Sequence, residues 1–411
     1  MHATIRQNPS SPVAVVAGHI CLDIIPTFDP RQPRSGMPAP GQLVNVGPAA
    51  LSTGGAVSNT GLALHRLGIR TRLMGKIGDD LFGRAILDVL RRRDPALAAG
   101  MIVSDSPSSY TVVISPPGVD RSFLHCPGAN DTFGAADVAP NQVADATVFH
   151  FGYPPIMARM HAGDGAELVE LFRRVQGAGV ITSLDMAHVD VDAPAGRVDW
   201  AGLLQRTLPY VDFFLPSLDE VFFMLDRARY QAACAAIDER GLVAQGGSAL
   251  LSEIAARLLE MGAAVVGLKL GDQGIYLRTT ADAARLARLG LPATWREREL
   301  LAPTFQVQVV GTTGAGDCAI AGFLAALLRG HGPEDALTAA VGAGACNVEA
   351  ADAISGVPTW DDLQARIAAG WPRLPLRIAL DGWTQQIAGL WAGPHDTQPD
   401  ARRSAPQAMQ P

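Results

Sequence analysis

Two hydrophobic periods alternate along the chain. Val13–Ala17 is a short β-branched run closed by Gly18, which predicts a buried strand whose end meets a site. Asp29 to Ala50, rich in Pro and Gly, predicts a loop. Ser58–Leu67 turns helical, with Leu62, Leu64 and Leu67 on its apolar side and Gly68 as a stop. Thr71–Ile77 predicts a strand and Arg84–Arg93 an amphipathic helix. Thr111–Ser115 and Arg121–His125 flank Pro116-Pro117-Gly118 as in a β-hairpin.

After His150 the alternation becomes regular. Helices are expected over Gly165–Val175, Ser217–Leu225 and Ser248–Met261. Strands are expected over Val180–Asp185, Val211–Leu215, Ala263–Leu270, Gly274–Leu277 and Val307–Val310. This order builds a mostly parallel sheet covered on both faces. The clearest helix is Ala319–Leu328, where Ile320, Phe323, Leu324, Leu327 and Leu328 recur at helical spacing. Pro333 opens another helix through Val348, and Trp360–Ala369 forms a last one. From Gly393 to Pro411 the pattern lapses, predicting a disordered tail.

Composition narrows the class. The 411 residues are 48% apolar and carry a net charge of −7, which argues against disorder and against a broad basic face for nucleic acid. Five scattered cysteines, with no CxxC, suggest neither a disulfide framework nor a zinc site. The longest apolar run, Cys318 to Leu328, is too short to span a membrane, and the start lacks a basic head and cleavage signal. A soluble cytoplasmic protein is expected.

Candidate chemistry lies at the ends of the expected strands. Gly311-Thr312-Thr313-Gly314-Ala315-Gly316-Asp317 precedes the clearest helix. Small residues there let backbone N–H groups converge on an anion, with the helix dipole adding positive potential. Asp317 beside such a site reads as a base activating a hydroxyl, or alternatively as a helix cap. Gly54-Gly55 with Asn59 permits close backbone approach to a ligand, and Asp23 can accept from two hydroxyls. In Gly78-Asp79-Asp80-Leu81-Phe82-Gly83 the aspartates read as helix caps. Glu220 follows Ser217 at capping-box spacing, which competes with a metal role. Lys269-Leu270-Gly271-Asp272-Gln273-Gly274 puts a cation at a strand end. No GxxxxGK[ST] occurs, and no GxGxxG follows the first strand, which excludes a P-loop kinase and makes a dinucleotide-binding dehydrogenase unfavoured.

In this order the segments resemble the ribokinase-like (PfkB) carbohydrate kinases. Gly54-Gly55 with Asn59 and Gly78–Gly83 resemble the N-terminal signature, and Thr312–Asp317 resembles the C-terminal one. The resemblance implies an α/β three-layer sandwich over residues 13–370, with a mostly parallel sheet and a small β-sheet lid from about 22–52 and 102–126. It implies transfer of the ATP γ-phosphate to a hydroxyl of a small sugar or sugar acid, with Mg²⁺, and leaves room for a homodimer through the lid. Asp317 would be the base and Gly314, Ala315 and Gly316 the anion hole. Asp23, Gly54, Gly55 and Asn59 would hold substrate. Lys269, Gly271, Gly274, Thr313 and Asn347 would line the nucleotide, and Glu220 would organise Mg²⁺.

Two departures stand against the family pattern. Its Asn-x-x-Glu is Ser217-x-x-Glu220 here, and the Asp that opens the C-terminal signature is Gly311, which weakens the case for activation by K⁺. Asp226–Gly247 and Thr279–Thr304 look like insertions. A nucleoside kinase of the same family and a catalytically silent sugar- or nucleotide-binding protein are the alternatives.

Overall fold

A computed structural model of the chain describes residues 11–29, 41–116, 122–237, 241–386 and 389–398. Its centre is a ten-stranded sheet. From one edge run Arg70–Met74, Val13–Gly18, Val148–Gly152, Ile181–Asp185, Phe213–Phe214 and Val265–Lys269, all mutually parallel. Ile275–Thr279, Glu299–Ala302, Trp391–Ala392 and Thr384–Gln385 continue the sheet antiparallel.

The two-residue period of the strands divides the apolar side chains between two cores. Ala14 and Val16 pack on one face and Val15 and Ala17 on the other; Phe213 and Phe214, and Leu300 and Leu301, divide the same way. Strands buried on both faces must be apolar throughout, which is why these segments read as unbroken hydrophobic runs. One face is covered by the helices Ala56–Arg66, Ala315–Leu328 and Pro333–Asn347. The other is covered by Ala166–Gly177, Trp200–Thr207 and Leu242–Glu260, and Phe172 of the first of these meets Phe149 and Phe151 of the sheet edge-on. Each such buried Leu or Phe contributes about 1.5–3 kcal/mol. Ala315–Leu328 is apolar on every side because it lies between two helices and the sheet. Gly322 lets it approach the Ala339 carbonyl so closely that a Cβ would overlap that oxygen.

A second sheet of four strands stands at the carboxyl ends of the first. Its order is Ala49–Gly54, Cys21–Pro26, Tyr110–Ile114, Ser122–Cys126. The expected hairpin is the antiparallel pair Tyr110–Ile114 and Ser122–Cys126, while its Pro117-Gly118 turn lies outside the described residues. Ile102–Ser104 is not in this sheet; it pairs with Lys76–Gly78, so the expected strand over 71–77 is two strands broken at Gly75.

Several expectations need correction. Val307–Val310 forms no strand: Val309 and Val310 are exposed, and the sheet position is already taken by Glu299–Ala302. Thr279–Thr304 is therefore no simple insertion, since it contributes that strand. The expected tail does not include Gly393–Gln398. The Gly393 N–H donates to the Glu299 carbonyl and the His395 N–H to the Glu299 side chain, while Asp396 pairs with Arg298 at 3.0 Å. Residues 399–411 lie outside the described residues. Among those described, no helix is long and apolar enough to cross a membrane.

Candidate active site

The carboxyl ends of the parallel strands converge with the start of Ala315–Leu328, the place where open α/β sheets bind ligands. Gly314, in the left-handed region at φ 73°, turns the chain into the helix, and the Thr312 carbonyl accepts from the Ala315 N–H. Asn347 braces this turn by donating to the Thr313 carbonyl at 2.8 Å. Its side chain is buried, and its Oδ1 has no partner among the described residues.

Asp317 is buried in the first turn and receives three neutral donors. Asn59 Nδ2 donates to Oδ2 at 3.0 Å, Tyr153 O–H to Oδ2 at 2.7 Å, and Thr60 O–H to Oδ1 at 3.2 Å. Gly314 holds the cap position of this helix without a side-chain bond, and the Asp317 carboxylate meets groups from other elements. Asn59 and Thr60 lie on the helix Ala56–Arg66, and Asn59 Oδ1 is buried without a partner among the described residues. Tyr153 follows the strand Val148–Gly152 with φ 72°, rare for a side-chain-bearing residue. Holding that conformation costs on the order of 1–3 kcal/mol, and a hydrogen bond to a carboxylate offsets a similar amount. Burial, then Asp317, Asp185 and Glu220, push the Tyr153 phenol well above its ordinary value, so it remains a donor.

Lys269 ends its strand beside the Gly314–Gly316 turn. Its Nζ lies 2.6 Å from Asp185 Oδ1, and a Cβ on Gly316 would sit 3.4–3.5 Å from the lysine side chain. Burial works against the lysine's charge, but Asp185, Glu220 and Asp317 outweigh it and raise its pKa. Asp185 is likewise pushed up by burial and pulled down by Lys269, and its Oδ2 has no partner among the described residues. Sequence reasoning missed Asp185. Glu220 Oε2 accepts from the Ser217 N–H at 2.7 Å, so half of the capping box is present and occupies one carboxylate oxygen. Asp80 caps its helix through the Gly83 N–H at 2.8 Å, as expected.

The glycines serve mixed ends. Gly271, at φ 59°, has open space where its side chain would be, whereas Gly274 lies against the Ala302 carbonyl and serves strand packing. Gly54 makes room for the Asp23 carboxylate, and Gly55, at φ 86°, for His19. Both glycines are thus closely approached by side chains of the protein itself. Asp23 itself is raised to about 6 by burial, against hydrogen bonds from Cys21 and Thr111. His19 is lowered to about 3, by burial and then His125, and is neutral.

Comparison with known proteins gives a consistent result. The family model described as pfkB family carbohydrate kinase matches residues 14–360. Ribokinase of Bacillus subtilis is 23% identical over 350 residues, 85% of this chain and 97% of the relative. The structure of Arabidopsis thaliana ribokinase complexed with ribose and ATP superposes with a TM-score of 0.64 at 20% identity, covering 87% of this chain and 98% of the other. A putative ribokinase II from E. coli, in complex with ATP and Mg²⁺, superposes with a TM-score of 0.59 at 20% identity, covering 88% and 100%. At these identities the solved structures establish the likeness of fold, a ribokinase-like sandwich.

Proposed function

The chain belongs to the pfkB family of carbohydrate kinases, and from that premise we propose that it transfers the γ-phosphate of ATP to a hydroxyl of a small sugar or sugar acid. The observation that carries this reading is the buried Asp317 carboxylate at the start of a helix, met only by neutral donors. Asn59 and Tyr153 fix Oδ2, which leaves Oδ1, with the single Thr60 donor, to take the acceptor proton. The buried, unpartnered Asn59 Oδ1 suits a second acceptor hydroxyl, and Asp23 a third. Gly314, Ala315 and Gly316 would offer N–H groups to the transferring phosphoryl group, Ala315 by giving up its 3.3 Å bond to the Thr312 carbonyl, with Lys269 beside Gly316 and Gly271 and Thr313 bordering the nucleotide.

The donor set fits Mg²⁺, a hard cation that prefers carboxylate oxygen and water. Glu220 retains its acid, and the orphaned Asp185 Oδ2 is a buried acceptor in its electrostatic range. When bound, Mg²⁺ would offset negative charge on the phosphates. On the small sheet, the exposed Leu51, Phe123 and Leu124 support its reading as a lid that can also meet a second copy.

A thermal-shift screen with ATP–Mg²⁺ and a panel of sugars, sugar acids and nucleosides, followed by ADP release on the hits, tests the proposal. ADP release with a sugar or sugar acid is expected. Release with nucleosides alone makes it a nucleoside kinase, and stabilisation with no ADP release makes it a silent binding protein.

A further inference from the structure

Two histidines and a cysteine meet at the foot of the small sheet, outside the phosphoryl-transfer groups. His19 follows the first strand, Cys21 opens the second, and His125 lies on the exposed strand Ser122–Cys126. Sheet register explains the convergence. Asp23 pairs with Thr111 and Thr111 with His125, so these three form one row across neighbouring strands. Cys21, two residues before Asp23, points to the same face.

The distances suit a cation. His19 Nε2 and His125 Nε2 lie 3.2 Å apart, and a ligand atom from each of His19, Cys21 and His125 lies within 4.8 Å of the others. Two nitrogens at 2.0–2.1 Å from a tetrahedral zinc ion would be separated by about 3.3–3.4 Å. The outer contacts orient the ligands as well. Thr111 Oγ1 lies 3.5 Å from Cys21 Sγ and 3.0 Å from His125 Nδ1, and its lone pairs can accept from His125 Nδ1–H. That arrangement leaves the lone pair of His125 Nε2 facing His19, the tautomer a metal requires. His19 Nδ1 is buried and has no hydrogen-bond partner among the described residues.

We propose that His19, Cys21 and His125 form a binding site for a borderline-soft divalent cation of the Zn²⁺ class, with Asp23 at its side. A mixed nitrogen and sulfur set discriminates against Mg²⁺ and K⁺, which prefer oxygen. Binding converts the Cys21 thiol to thiolate and releases its proton to solvent. Asp23 Oδ1 accepts from the Cys21 thiol at 3.4 Å and borders the three ligands without joining them, which leaves a fourth position to water. The proposal rests on the placement of His19, Cys21 and His125 and is independent of which acceptor the enzyme uses.

Co²⁺ titration of untagged, chelator-treated full-length protein tests the site. One equivalent should produce near-ultraviolet thiolate-to-cobalt charge transfer and intense tetrahedral visible bands, and Zn²⁺ should abolish both. Cys21→Ser should lose the charge-transfer band, and His125→Ala, on an exposed strand, should weaken Co²⁺ binding at least tenfold with an unchanged circular dichroism spectrum. Absence of the bands in wild type, or His125→Ala binding Co²⁺ as wild type does, overturns the proposal. Thr111→Val gives a check that leaves all three ligands in place: a severalfold loss of affinity is expected, and none would remove the argument from orientation.

Discussion

Asp317 and Asp185 are both buried acids within the field of Lys269, yet they are held in opposite ways. Asp317 is met by three neutral donors, an amide and two hydroxyls. Asp185 has one charged partner at 2.6 Å and an oxygen with none. Neutral hydrogen bonds net about 0.5–1.5 kcal/mol each, more when the acceptor is charged, and can be exchanged for bonds to a ligand. A buried ion pair is different: removing either partner strands a charge and costs about 3–5 kcal/mol. The contrast separates a carboxylate arranged to exchange partners from one that fixes a lysine.

The largest effect should come from Asp317→Asn. It keeps shape and donors but cannot take a proton, so kcat should fall by about two to four orders of magnitude with ATP affinity retained. Activity within tenfold of wild type, in a steady-state assay, would remove Asp317 as the base. Asp185→Asn should behave in the reverse manner. Denaturant unfolding should show a loss of about 3 kcal/mol, from leaving Lys269 without its partner, while kcat changes by less than the Asp317 variant's. Equal loss of rate in the two variants would break the contrast.

Tyr153→Phe removes one donor and leaves the other two. A fall in kcat of about tenfold, with KM for ATP unchanged, is expected from the loss of one charge-assisted bond. A rise in rate would mean that the phenol holds the base back. Glu220→Gln should raise the Mg²⁺ concentration for half-maximal rate severalfold with little change in melting temperature. Lower stability with unchanged Mg²⁺ dependence would make Glu220 a helix cap alone, the role its bond to the Ser217 N–H already shows.

The smallest effect expected is none. Gly311 carries no carboxylate, and the neighbouring acids are engaged elsewhere: Glu349 forks onto Arg366 at 2.6 and 2.9 Å, and Asp352 accepts from the Ile354 and Ser355 N–H groups. A side chain at Gly311 would meet the neutral carbonyls of Ala350 and Ala351, and the Gly311 N–H donates to the Val348 carbonyl. The rate should therefore stay constant when Na⁺ replaces K⁺ at fixed ionic strength, and saturable K⁺-specific activation would contradict this.

What could be read in the sequence was local. The turn from Gly311 to Asp317, the helix after it and the apolar strands all declare themselves within a few residues, because glycine conformation and hydrophobic period are short-range signals. What escaped depends on distant partners. Asp185 closes the run Ile181-Thr182-Ser183-Leu184 and looks like the end of any strand; only Lys269, 84 residues on, gives it a role. Tyr153 reaches Asp317 across 164 residues and from a backbone conformation that no tyrosine advertises. Val307–Val310 has strand composition without a vacant place in the sheet, whereas Glu299–Ala302 carries an acid and a weak pattern but finds pairing on both sides.

The edge at Glu299–Ala302 also bears on how the protein is made. Its outer neighbour, Trp391–Ala392, lies about 90 residues later in the chain. At roughly 5–20 residues per second, a ribosome leaves this edge without its partner for about 5–20 s. During that interval an apolar strand presents free N–H and C=O groups to any other nascent chain. A stop codon placed before Trp391 would leave every active-site side chain in place but make the interval permanent, so its first consequence should be aggregation during synthesis, ahead of any defect in catalysis.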